Sequence, residues 1–321
     1  MRKLFALFTT VCLLLGTVIA ASAAGEYPQR PVTVFIPLGA GDTSDVFVRT
    51  ISPHMEKFLG QSLVLVNKPG AGGATAITDL AAAKPDGYTM SWANLPTLSI
   101  QPQMRKLVYD SNKLTYIAVG MEYEYILYAR KDAPFASLKE FIEHARKNPD
   151  LPYATPGLGT TNHLAVAWLA AKENLKMLAV PFEGNPKAIA AVMGGHAAVG
   201  NTSTTAAISP YKAGEIKPLA VMSGERIAFV PDTPTLQELG YNFSQYSCLG
   251  AVFPPNTPEP VRKRMEDAIR YAVEQADVKK HAAETLQIRV LFRNGSDYRK
   301  LCQDYWKIWG EVLSMVGLKL Q

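Results

Sequence analysis

The chain is poor in the residues that build metal centres and disulfide frameworks. Its three cysteines, Cys12, Cys248 and Cys302, match no zinc-binding spacing. Neither Cys-x-x-Cys nor His-Glu-x-x-His occurs, and the five histidines, at 54, 144, 163, 196 and 281, are dispersed. Gly-x-Ser-x-Gly is absent, so a lipase-type nucleophile elbow has no support. The 33 Lys and Arg against 28 Asp and Glu give a formal net charge of +5, but no run of five basic residues appears. A nucleic-acid protein would gather that charge into a stripe, and no nucleic-acid partner is expected. Beyond residue 24 no apolar run approaches the ~20 residues of a spanning helix. What is present is ordinary globular composition, 48% apolar and 19% charged over 321 residues. That excludes disordered and collagen-like chains and suffices for about two domains.

Residues 1–24 read as an address rather than as fold. Arg2 and Lys3 precede the nearly continuous apolar run Leu4 to Ala20, followed by Ala21-Ser22-Ala23-Ala24. This is the three-part pattern of a secretory signal peptide cleaved near Ala23 or Ala24, with an uncleaved anchor as the competing reading. Cys12 has no small residue just before it and is not read as a lipid-attachment site. The expected protein is exported to the periplasm, where Cys248 and Cys302 could pair. Cys302 falls on the helical stripe Tyr298, Leu301, Cys302, Tyr305, Ile308, Trp309, Val312, Leu313, Val316, which favours a buried free thiol.

Downstream, β-type and helix-type patterns alternate. Strands are expected at 32–36, 63–66, 88–92, 152–154, 177–181, 197–200, 216–222 and 247–253, with two more around Glu122-Tyr123-Glu124-Tyr125. Helices are expected at 43–59, 73–83, 137–147, 160–172, 185–193, 203–211, 258–275 and 296–316. This order predicts an α/β fold with largely parallel sheets flanked by helices. The rhythm runs twice, so we expect two lobes, 25–125 plus 249–321 and 126–248, with a ligand cleft between them. Crossings near 125 and 248 suit a hinge.

Two segments carry the functional signal: Pro37-Leu-Gly39-Ala-Gly41-Asp-Thr-Ser-Asp45 and Thr155-Pro-Gly157-Leu-Gly159-Thr-Thr-Asn162. Each follows a strand, contains Gly-x-Gly and opens a helix. Unpartnered amides of a first helical turn, with the helix dipole, make an anion site. Hydroxyls of Thr43, Ser44, Thr160 and Thr161 can add donors. A carboxylate could thus be held between Leu38, Ala40 and Gly41 on one wall and Thr155, Gly157, Leu158, Gly159 and Asn162 on the other. Two ordinary capped turns are the plain alternative. A dinucleotide fingerprint would require an acidic residue about 20 residues on, where this chain has Asn67 and Lys68. Asp42 can cap the helix with Asp45 three residues later; alternatively, one of the two points into the cleft, where it repels an anion or pairs with an ammonium group. Asn94, Phe182, Asn201 and Thr202, with Trp92, lie at carboxyl ends of strands, where open α/β sheets bind ligands. His163 opens the second helix and reads as a packed or capping residue before a catalytic base. Gly70-Ala-Gly72-Gly73 lacks the Lys-Ser/Thr of a P-loop and reads as a turn. No catalytic residue, metal or cofactor is implied.

In these loops the chain resembles the extracytoplasmic substrate-binding proteins of tripartite tricarboxylate transporters, the Bug family. Besides the two loops, the resemblance rests on Tyr27-Pro-Gln-Arg-Pro31, Val66-Asn-Lys-Pro-Gly-Ala-Gly-Gly73 and Pro85-Asp-Gly-Tyr-Thr89. It continues in His163-Leu164, Val180-Pro-Phe-Glu-Gly184, Gly194-Gly195, Leu219-Ala220, Pro231-Asp-Thr-Pro-Thr235 and Pro254-Pro-Asn-Thr-Pro258. It implies a two-lobed, flytrap-like periplasmic binding protein, a monomer without catalysis. Such a protein hands a small organic carboxylate to a permease of one large and one small subunit. It also implies that the turns at 38–45 and 155–162 hold the carboxylate. Three positions depart from the family pattern: Gly41-Asp42 where two glycines are usual, Leu38 where an aromatic is usual, and Ala167 where Glu is usual. The first two touch the expected pocket, so di-, tri- and aromatic carboxylates and amino acids all stay open as ligands. An exported hydrolase using His163 and a periplasmic ligand sensor are the alternative functions.

Overall fold

The computed structural model describes residues 27–320; the expected signal peptide and Cys12 lie outside them. Strand β1 (Val32–Ile36) alternates buried and half-buried positions, the period of a pleated strand. Helix α1 (Thr43–Leu59) follows, burying Phe47, Val48, Ile51, Met55 and Leu59 along one stripe. It stops at Gly60, whose φ of 71° admits the left-handed cap. Strand β2 (Leu63–Asn67), helix α2 (Ala74–Ala81) and strand β3 (Thr89–Asn94) repeat the unit, and β1 pairs in parallel with both neighbours. Two short helices that the sequence reading did not assign, α3 (Leu95–Ser99) and α4 (Gln101–Met104), leave β3, each with proline in its first turn.

Strand β4 (Thr115–Arg130) is one strand of 16 residues, where the sequence suggested two. Beyond it come α5 (Leu138–Lys147), β5 (Leu151–Thr155), α6 (Thr161–Lys172), β6 (Met177–Pro181) and α7 (Asn185–Met193). Then follow β7 (Val199–Ser203), α8 (Thr204–Lys212), β8 (Ile216–Val221) and β9 (Tyr246–Phe253). The tail comprises α9 (Glu259–Val273), α10 (Ala276–His281), β10 (Arg289–Asn294) and α11 (Gly295–Met315).

The strand path is β2-β1-β3-β9-β4-β7-β5-β6, with β8 and β10 also on β4. The outer pairs, β1 with β2 and β3 and β5 with β6 and β7, are parallel, as the βα rhythm predicts. Every antiparallel pair involves β4 or β9. Up to Glu124, β4 pairs with β9 and β10; from Tyr125 onward it pairs with β7 and β8. The chain therefore changes partners between Glu124 and Tyr125.

Helix α11 buries Tyr298, Cys302, Tyr305, Trp309, Val312 and Leu313. The Tyr298 hydroxyl donates to the Ala93 carbonyl at 2.7 Å, and Gln103 Nε2 donates to the Trp306 carbonyl at 3.0 Å. Gly250 is obligatory in β9 because the Tyr298 ring fills the place of a side chain. Farther along α11, Trp309 meets Phe243 edge-on at 5.7 Å, and Phe243 stacks on Trp168 of α6 at 4.1 Å. Cys248 and Cys302 are both free and buried; burial pushes the Cys302 thiol up to about 12. No helix among the described residues is long and apolar enough to cross a membrane.

Glu122 explains why β4 is continuous. It is 2% exposed, yet Arg289 and Arg293 of β10 both reach it, the latter with Nε at 2.9 Å. Glu122→Ala should lower the unfolding free energy by about 2 kcal/mol. The half-exposed arginines can rehydrate, which keeps the loss from growing. Urea unfolding with an unchanged slope reads the effect; an unmoved midpoint would remove this pair from the account of β4.

Candidate functional site

Both glycine loops run from a strand into a helix, from β1 into α1 and from β5 into α6, and they share one device. In the first, Gly41 stands at φ +81°, and its amide donates to Asp45 Oδ2 at 2.9 Å. In the second, Gly159 stands at φ +75°, and its amide donates to His163 Nδ1 at 3.1 Å. A side chain four residues on thus takes the amide of each second glycine. The residue after each glycine caps the helix: Asp42 accepts from the Ser44 amide at 2.9 Å, and Thr160 Oγ1 accepts from the His163 amide at 3.3 Å.

Asp42 and Asp45, indistinguishable in the sequence, have separate environments. Asp45 is buried and braced: Arg49 Nε and Asn67 Nδ2 each donate to its Oδ1 at 2.9 Å. Asn67 Nδ2 also reaches the Leu38 carbonyl at 3.0 Å. Burial alone would raise the Asp45 carboxyl, but the hydrogen bonds from Arg49, Gly41 and Asn67 outweigh it and hold it below the usual range. Asp42 is half-buried. Burial pushes its carboxyl above the ordinary value against the Ser44 hydrogen bonds, and the nearby Asp45 charge acts in the same direction.

His163 is 6% exposed and lies parallel to the Tyr153 ring, centroids 6.1 Å apart. Burial lowers its pKa. Nδ1 accepts from Gly159, so the neutral ring carries its proton on Nε2.

Several loop amides are used within the loops: Asp42 donates to Gly39 and Thr160 to Gly157. The amides of Ala40 and Thr43 in the first loop and of Leu158 and Thr161 in the second find no acceptor among the described residues. Helix starts leave such groups unpaired. Leu158 is 57% exposed at the apex of its loop.

Tyr123 and Tyr125 are two apart on β4 where it changes partners, with rings 5.5 Å apart. Thr161 Oγ1 donates to Tyr125 OH at 3.2 Å. Burial above all raises both phenols. Met104 of α4 lies against Gly159, where any side chain would meet it.

The remaining candidates divide. Asn162 Nδ2 donates to the Asn201 carbonyl at 2.9 Å, and Gln245 Nε2 to Asn201 Oδ1 at 3.1 Å. Thr202 Oγ1 reaches Asn185 at 3.2 Å, so these residues form one polar group beneath the second loop. Thr155 is buried, with Oγ1 donating to the Gly157 carbonyl at 3.1 Å. The Phe182 amide donates to the Thr155 carbonyl at 2.8 Å. Asn94 caps α3, accepting from the Thr97 amide at 3.1 Å. Trp92 is wholly buried in the core.

Sequence reasoning missed Arg49, Asn67, Met104, Tyr123, Tyr125 and Gln245. Arg49 stands four residues after Asp45, a helix-pair spacing visible in the sequence, and the two tyrosines share a strand face by their period of two. Two surface concavities, one of about 300 Å³ beside Leu138 and Tyr241 and one of about 630 Å³ beside Tyr116 and Trp306, are lined by none of the loop residues. Among the described residues no group of three His, Cys, Asp or Glu side chains could hold a metal ion.

The depressed Asp45 fixes a pH dependence. Its stabilisation is complete above the unfolded carboxyl value, about 3.9, and is lost as pH falls through the lower folded value. Asp45→Asn should therefore cost about 2 kcal/mol at pH 6, and the gap to wild type should close below about pH 4. Denaturant unfolding across pH 2–6 measures it; a gap independent of pH would reject the assignment.

Comparison with known proteins agrees with this architecture. The family model described as tripartite tricarboxylate transporter family receptor matches residues 47–318, beginning just after the first loop. A Cupriavidus necator protein of the UPF0065 group, from the region 5′ of gbd, is 31% identical over 312 residues, 96% of this chain and 94% of that one. The solved periplasmic binding protein BugD superposes with a TM-score of 0.82 at 28% identity, over 92% of this chain and all of that one. MatC from Rhodopseudomonas palustris, solved with bound malate, gives 0.81 at 30% identity, over 89% of this chain and all of that one. The fold is thus the two-lobed α/β architecture of periplasmic binding proteins, and the chain belongs to the tripartite tricarboxylate transporter family of receptors.

Proposed function

We propose that this protein captures a small organic carboxylate between two lobes and delivers it, unaltered, to a membrane permease of one large and one small subunit. The observation that carries the reading is the pair of glycine loops that open helices with one shared device, each retaining amides without an acceptor among the described residues. Thr161 of the second loop is also hydrogen-bonded to the Tyr125 phenol. Amides at helix starts favour an anion electrostatically and by hydrogen bonding. The malate bound in MatC supports a carboxylate as that anion.

In this reading residues 25–125 with 249–321 form one lobe and 126–248 the other. The bending point is β4 between Glu124 and Tyr125, where its pairing changes. Leu38, Ala40, Gly41, Thr43 and Ser44 line one wall; Gly157, Leu158, Gly159, Thr160, Thr161 and Asn162 line the other. His163 shapes the second wall rather than acting as a base, because its Nδ1 is committed to Gly159. Residues 1–24 act as a cleaved leader to the periplasm, and the protein works as a monomer.

The test is a thermal-shift screen of di-, tri- and aromatic carboxylates and amino acids, followed by titration and recovery of the ligand. A ligand at about 100 times its Kd adds roughly 2.7 kcal/mol of stability. Solution scattering should show a smaller radius of gyration with ligand. A screen without a single responding carboxylate, or recovery of a chemically changed one, would sink the proposal. Gly159→Val places a branched side chain at positive φ and against Met104. It should weaken binding at least tenfold, about 1.4 kcal/mol, in a protein that circular dichroism shows to be folded. Undiminished affinity would count against the second loop as a wall of the site.

A further inference from the structure

Two helices meet end to end across the lobes. Helix α8 begins at Thr204 directly after β7, and Ser203 ahead of it makes no side-chain capping hydrogen bond. Helix α10 runs on through one wider turn, Ala282–Leu286, and stops at Gln287, which takes the left-handed conformation at φ +51°. The first turn of a helix leaves amides unpaired, and the last leaves carbonyls unpaired. Here the Leu286 carbonyl accepts from Thr205 Oγ1 at 2.8 Å, and the Gln287 carbonyl accepts from Thr204 Oγ1 at 3.1 Å. The partly positive start of one helix thus lies at the partly negative end of the other, an attractive arrangement. Thr204 and Leu286 are both buried.

Strand β4 sets the place of this contact. Ser203, the last residue of β7, lies opposite Tyr125, and Arg289, the first of β10, lies opposite Glu122. The two helix ends therefore meet where β4 exchanges one set of partners for the other. The residues they join are 81 and 83 positions apart in the chain, one side within 126–248 and the other within 249–321. Among the described residues, the other side-chain hydrogen bonds between these lobes involve Tyr125 or Tyr246, where the chain itself crosses. Thr204 and Thr205 join the lobes where no chain does. The neighbouring helix start differs. Strands β5 and β7 are parallel neighbours, so α6 and α8 begin at the same edge of the sheet. The amides of Leu158 and Thr161 beside α6 have no acceptor among the described residues, whereas α8 is met by carbonyls of the opposite lobe.

We infer that Thr204 and Thr205 are positioning residues: their hydroxyls hold the two lobes together at this seam and so set the affinity for a ligand they do not touch. This inference rests on the two-lobed carboxylate reading. A ligand gripped by both walls needs the lobes closed, and its apparent Kd rises as the closed fraction falls. Opening about β4 draws the end of α10 away from the start of α8 and returns two hydroxyls and two carbonyls to water. Each bond lost moves the balance toward the open form by the small net contribution of a neutral hydrogen bond.

The test sets two double variants side by side. Thr204→Val with Thr205→Val keeps the branched shape and removes both hydroxyls; Thr204→Ser with Thr205→Ser keeps both hydroxyls. Without ligand, small-angle scattering of the Val pair should give a larger radius of gyration than wild type. Hydrogen exchange of its amides at 286–289 should be about tenfold faster, the effect of losing two net hydrogen bonds. The Ser pair should match wild type in both measurements, and Thr205→Val alone should move both in the direction of the Val pair by less. Faster exchange at an unchanged radius would make the contact a local tie, and unchanged exchange would make it no tie; either overturns the inference. In the carboxylate screen, an acid that stabilises wild type should bind the Val pair about tenfold more weakly, and equal binding by the two proteins also overturns it. A screen silent for wild type removes the carboxylate reading, while the radius and the exchange rates still decide the role of the seam.

Discussion

The constraint on which the molecule depends is the single strand β4. It is nearly all buried over its 16 residues, and each half of the fold hangs its sheet from one end of it. Its period of two separates two tasks within four residues. Glu122 binds Arg289 and Arg293 of the tail; Tyr123 and Tyr125 lie on the opposite face, where Tyr125 accepts a hydrogen bond from Thr161 of the second loop. The ion pair fixes the strand on the side away from the site, at the point where its pairing passes from β9 to β7.

The two loops solve one geometric problem with different chemistry. Each must hold a glycine at positive φ so that the following helix starts in the right direction, and each does so by capturing the glycine amide with the side chain four residues on. In the first loop that side chain is a carboxylate, which Arg49 neutralises and Asn67 hydrogen-bonds. In the second it is a histidine kept neutral by burial. Neither device leaves net charge at the turn itself. The first spends a buried Asp, which ties the loop to the end of β2; the second uses Tyr153 stacking to hold the ring.

Much of this was legible in the sequence, because the βα rhythm and the two Gly-x-Gly turns are local patterns. The parallel outer pairs and the helices that follow them depend on residues within a few turns of one another. What was not legible depends on distant partners. Glu122 and Glu124 read as an interruption because the arginines that neutralise Glu122 lie about 170 residues away. Strand β10 was hidden because its burial is intermediate and its role is to pair with β4. The short helices after β3 were obscured by Pro96 and Pro102, although Asn94 followed by Leu-Pro is a cap signal. In the site, Asn67 was weighed for the charge it lacks; its amide proves to brace Asp45 and Leu38. Gln245 carried no signal at all, since its partner Asn201 lies 44 residues away.

The difference between the loops bears directly on Asp42. Thr160 occupies the matching place in the second loop and caps its helix with a neutral hydroxyl. Capping therefore does not require a charge there. The helix dipole would favour an anion at Asp42 by only about 0.3–1 kcal/mol. Against this stand the cost of partly burying Asp42 and its proximity to Asp45, both of which oppose its ionisation.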